Sequence, residues 1–99
     1  MDQPTYHFTA TLWIYSGKGA WHFLTLPKDA AEGIRFFSSG AKGFMPVAVT
    51  AVLGETTWKT SVFPDSKSGS YLLAVKAEVR KREMLVAGDD CSVAVTLRS

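Results

Sequence analysis

Lys76, Arg80, Lys81 and Arg82 gather four of the eleven basic residues of this sequence into seven positions, with Glu78 and Glu83 nearby. At helical spacing Lys76 and Arg80 share a face, so the two could hold an anionic group between them. Arg80 would offer a planar two-donor fork and Lys76 a point charge, and the rings of Trp58 or Tyr71 could stack on the same ligand. The residues also read as a solvated helix face. Glu78 and Arg82 would then form an i, i+4 pair, and Arg80 or Lys76 would bond to Asp89 or to strand carbonyls. The sequence leaves both readings open.

The remaining reactive types do not assemble in sequence. His7 and His22 lie on different segments in strand contexts, where a structural role is expected of each. Ser61 and Asp65 could join one of them in a triad on paper, but no nucleophile elbow of the G-x-S-x-G kind surrounds Ser61. Cys91 alternates with Val93 and Val95 and is expected to be buried as a small hydrophobe. Asp29, Glu32, Asp65, Asp89 and Asp90 form no ligand cage, so neither a metal nor a cofactor is predicted. Gly17 and Gly19, with no helix following, make a turn rather than a phosphate loop. Among the aromatics, Trp13 and Tyr15 sit opposite the apolar face of their strand. They mark a binding surface, a subunit contact, or a second face covered by a helix. Trp58 is the stronger candidate for touching a ligand.

These residues must be positioned by a chain of 99 residues, a length that predicts one domain over 1–99. A hydrophobic share of 46% against 20% charged residues supports an ordinary core without staples. The net charge of +2 is too small to imply a nucleic acid or a membrane by itself. One cysteine, no basic-then-apolar leader at Met1-Asp2-Gln3-Pro4-Thr5, and no apolar run longer than residues 47–53 predict a cytoplasmic protein with no membrane segment.

Along residues 6–15, Phe8, Ala10, Leu12 and Ile14 alternate with Thr9, Thr11, Trp13 and Tyr15, which predicts a strand with one buried face. Ser16-Gly17-Lys18-Gly19 then turns the chain into a strand over 20–26. Pro27 and Asp29 open a helix over about 27–38, with Ala30, Ile34 and Phe37 on its inner side and Ser38-Ser39-Gly40 ending it. Gly33 inside it costs about 1 kcal/mol of propensity and suggests close approach to a strand. A strand over 44–53, starting at Phe44 and covered on both faces, turns at Gly54-Glu55 into an alternating strand over 56–63. A polar loop over 64–69, a strand over 70–75, a helix over 76–82, a turn at Gly88-Asp89-Asp90 and a strand over 91–97 complete the chain. The prediction is a mainly β fold: a small closed or nearly closed barrel of about six to seven strands with two short helices.

The order of Trp21 and Phe23 before Leu26-Pro27, then Gly54, Trp58-Lys59-Thr60-Ser61-Val62-Phe63-Pro64, the run 71–81 and Gly88-Asp89 resembles the family called domain of unknown function 1905. The resemblance covers nearly the whole chain, and residues 71–89 are its distinctive part. It implies a small closed β-barrel with short helices and no established activity. Cys91 stands where a valine is usual, and Arg82-Glu83-Met84 replaces a small, glycine-containing stretch. Residues 72–95 are also similar in topology to the swapped-hairpin half-barrel of AbrB and MazE type transcription regulators, which bind DNA as dimers.

The reading that follows is a non-enzymatic binding module for an anionic small ligand or partner, its site near Trp58, Tyr71, Lys76 and Arg80. The alternative is a DNA-binding dimer that uses Lys76, Arg80, Lys81 and Arg82 of the basic helix 76–82. An enzyme of unknown class is the third reading. A homodimer is one expected form, and no cofactor is expected.

Overall fold

A computed structural model describes residues 4–17, 19–38 and 45–98. The chain forms β1 (Thr5–Thr11), β2 (Trp13–Ile14), β3 (His22–Thr25), α1 (Lys28–Ser38), β4 (Val47–Leu53), β5 (Thr56–Asp65), β6 (Ser70–Ala74), α2 (Ala77–Glu83) and β7 (Asp90–Leu97). All seven strands belong to one antiparallel sheet in the order β1-β7-β4-β5-β6-β3-β2, curled into a half-barrel. The fold is mainly β with two short helices, as the strand periodicity predicts.

The two ends of that order, β1 and β2, are consecutive in the chain and separated by Leu12 alone. The single strand expected over 6–15 is therefore two. Tyr6 to Thr11 pair with β7, whereas Trp13 and Ile14 pair with His22 and Phe23 of β3. At the changeover Leu12 donates its amide to the Asp89 carbonyl and accepts from the Gly88 amide, both at 2.8 Å. Its side chain is fully buried. The backbone polar groups stay satisfied while the chain passes from one end of the sheet to the other. The bend also reverses one expectation. Ile14, read as inward in phase with Leu12, is 48% exposed.

The inner face follows alternation closely. Val49, Ala51 and Leu53 of β4, Trp58 and Val62 of β5, Leu73 of β6 and Cys91, Val93, Val95 and Leu97 of β7 are all buried in one cluster with Leu24, Ile34 and Tyr71. β4 is covered on one face only, because Val52 on its outer side is 37% exposed. Gly54, at φ +63, makes the turn to β5 that keeps Leu53 opposite Thr56.

α1 buries Ala30, Ala31 and Ile34. Gly33 lies against β1 as its position suggests: a Cβ there would come within 2.5 Å of the Tyr6 ring. Phe37, expected on the inner side, is 62% exposed and stands edge-on to Phe36 with ring centroids 5.1 Å apart. Burial ends one turn earlier, at Ile34. The expected stop at Ser39-Gly40, the strand start at Phe44, Lys18 of the first turn and the Met1-Asp2-Gln3 terminus lie outside the described residues. Among the described residues no helix is long and apolar enough to cross a membrane.

Candidate ligand groove

α2 starts one residue later than expected, with Lys76 as an extended cap that makes no side-chain capping hydrogen bond. Glu78 approaches Lys76 at 3.8 Å, and both side chains are more than half exposed. Arg80 turns back on its own chain: Nε donates to the Val75 carbonyl at 3.1 Å, the strand-carbonyl bond of the solvated-face reading. The helix ends at Met84, a non-glycine residue at φ +56 and 86% exposed.

The four ligand candidates are divided by this arrangement. Trp58 and Lys76 meet at a pocket of about 150 Å³ between β5 and α2, where Arg82 and Glu78 also face. Arg80 and Lys81 border a different hollow beside Met84 and Val86. Tyr71 is 1% exposed and belongs to the core, and its backbone carbonyl accepts the Leu26 amide at 2.9 Å.

Among the described residues no catalytic constellation accompanies them. His22 lies 2.9 Å from the Ala20 carbonyl through Nδ1, and among the described residues no hydrogen bond joins either histidine to Ser61 or to a carboxylate. Asp65 takes the Ser68 amide and hydroxyl on Oδ2, at 3.2 and 2.7 Å, and so shapes the β5–β6 turn. Cys91 is 2% exposed, and burial, then the nearby charges of Asp89 and Asp90, push its thiol pKa up. Among the described residues no group of three His, Cys, Asp or Glu side chains could hold a metal ion.

An apolar opening lies on the outer face of β5, β6, β3 and β2. Registry creates it. Leu72 of β6 pairs with Phe63 of β5 on one side and with Thr25 of β3 on the other. One row along, Ala74 pairs with Phe23, which pairs with Trp13 of β2. Outward positions of a one-sided sheet are ordinarily polar, whereas these two neighbouring rows on four strands are apolar but for Thr25. Tyr15 and Trp21, bound to each other by the Tyr15 amide and Trp21 carbonyl at 2.7 Å, extend it from the β2–β3 hairpin.

These side chains line a groove of about 500 Å³, within the usual range of small-molecule sites. Trp13 is pinned by a hydrogen bond from Nε1 to the Thr25 hydroxyl at 2.9 Å, and its ring sits 5.3 Å from that of Phe23. Trp21 and Phe23 are parallel within 7° at 6.1 Å. Trp21, Tyr15 and Phe63 remain 55%, 50% and 46% exposed. Among the described residues, Asp65 at the end of β5 and Lys67 of the β5–β6 turn are the charged ones at its rim. Of these residues, sequence reasoning singled out Trp13 and Tyr15 as a possible surface. It missed the role of Phe63, which shares the outward phase of Thr57, Lys59 and Ser61, and of Lys67, whose loop carries no periodic signal.

Residues 8–95 match the family model described as Domain of unknown function (DUF1905), a span that includes every residue lining the groove. No curated protein matches the chain.

Proposed function

The chain belongs to the DUF1905 family, whose description names no activity, and we propose that it is a non-enzymatic binding module for a small anionic ligand with an apolar body. The observation that carries this reading is the groove of Trp13, Tyr15, Trp21, Phe23 and Phe63 on the outer sheet face. Its aromatic walls would bury the body of the ligand, and Lys67, which makes no ion pair among the described residues, would meet the acidic group. The site thus moves from the basic helix to the opposite sheet face. The pocket shared by Trp58, Lys76 and Arg82 supports a second, smaller anion site, although Glu78 beside Lys76 already offsets part of its charge.

The test is a fluorescence titration with anilinonaphthalene sulfonate, a flat aromatic anion. The groove site is expected to be weakened by Trp21→Ala and by Lys67→Gln, and a weaker second site at the smaller pocket by Lys76→Ala. Saturable binding that ignores both groove substitutions would overturn the placement, and absence of binding would overturn the proposal.

A further inference from the structure

Resting on the groove as the binding site, we infer that its ligand is a base attached to a phosphate. The rings are presented the way stacking platforms are built, from outward positions of adjacent strands with Leu72 and Ala74 between them. Trp21 offers an exposed face parallel to Phe23, and Phe63 stands exposed across Leu72. A heteroaromatic base stacks on such faces whatever its sequence, because every base has a π-surface.

Along the walls Trp13 Nε1 is spent on Thr25 and Asp65 Oδ2 on Ser68, while Tyr15 and Trp21 bring a hydroxyl and an indole N–H beside their ring faces, which suits a flat ring that carries polar edges. At the rim, Lys67 is exposed and free of ion pairs among the described residues, a point charge suited to phosphate. The carboxylate of Asp65 keeps Oδ1 for a donor such as an exocyclic amino group. Base and phosphate together account for the aromatic walls and for the cation at their end. A neutral aromatic would leave Lys67 unused, and inorganic phosphate would leave the rings unused.

The same chemistry is carried by a free mononucleotide and by single-stranded nucleic acid. Labelled protein is titrated at low salt with adenosine, inorganic phosphate, adenosine monophosphate and a short oligoadenylate, following the amides of Leu72, Ala74 and Lys67. Adenosine monophosphate is expected to bind about fivefold or more tightly than adenosine, an advantage lost in Lys67→Gln and at high salt, while phosphate alone leaves Leu72 and Ala74 unmoved. Trp21→Ala is expected to weaken both adenine ligands by at least about fivefold. A further gain with the oligoadenylate, steeply salt-dependent, identifies a strand as the source; equal affinity per base identifies the mononucleotide. Equal binding of adenosine and its monophosphate, or no binding of either while anilinonaphthalene sulfonate still binds, overturns this inference and leaves the groove reading standing. Loss of the sulfonate probe as well overturns both.

Discussion

The Glu83 carboxylate accepts the Thr56 hydroxyl at 2.6 Å and the Glu55 amide at 3.2 Å, tying the last residue of α2 to the β4–β5 turn. A Cβ on Gly54 would collide with the same carboxylate, so the turn glycine serves both its positive φ and this contact. Because Thr56 is only 5% exposed, removing its partner strands a buried hydroxyl. Glu83→Ala is expected to cost about 1–3 kcal/mol in chemical denaturation, with Glu83→Gln recovering much of it.

Two tryptophans separate fold from site. Trp58 is 9% exposed in the core and Trp21 is 55% exposed on the groove. Trp58→Ala is expected to cost about 3–5 kcal/mol, whereas Trp21→Ala should change stability by under about 1 kcal/mol while weakening groove ligands. Paired denaturation and binding curves check both; a Trp58→Ala protein as stable as the parent would place that ring outside the core.

Gly33 faces the Tyr6 ring too closely for a side chain. Gly33→Ala should therefore not show the roughly 1 kcal/mol helix gain that alanine usually brings, and the gain should return when Tyr6→Ala removes the obstacle. A double-mutant cycle in denaturant reads the coupling directly.

Met84 occupies a left-handed conformation with its side chain in solvent. Met84→Gly is expected to stabilise the protein by about 0.5–1 kcal/mol, since the strain is relieved and little packing is lost. Thermal unfolding would reveal it as a higher midpoint.

The Cys91 thiol is held above its ordinary pKa by burial first and by Asp89 and Asp90 next. The folded state therefore retains the proton that the unfolded chain releases. Stability from this group is full below the thiol's ordinary pKa and declines as pH rises from there toward the folded-state value. Cys91→Val should flatten that alkaline slope, and a thiol reagent should label the native protein far more slowly than the denatured one.

Much of the architecture is legible in the residues themselves. Period-two alternation identifies Phe8, Val49, Ala51, Val62, Val93 and Val95 as inward, and Pro27, Asp29 and Ile34 mark α1, because those patterns are local consequences of strand and helix geometry. The compositional cluster at 76–82 was equally visible, but the fold divides it: Arg80 bonds to Val75, Tyr71 goes to the core, Trp58, Lys76 and Arg82 share one pocket, and Arg80 and Lys81 border another.

The groove depended on tertiary structure. Trp13, read as outward from its strand's alternation, meets Phe23, Phe63 and Leu72, each on a different strand, and which strands become neighbours is a property of the whole sheet. The bend at Leu12 carries β2 to the far end of the sheet from β1, and only there does Trp13 reach Phe23. Sequence by itself determined the two-sided alternation within most strands, since that needs only the backbone period, while the bend at Leu12 turned Ile14 outward. The tertiary structure decided which outward residues stand together, because non-local strand pairing sets distances that no local pattern contains.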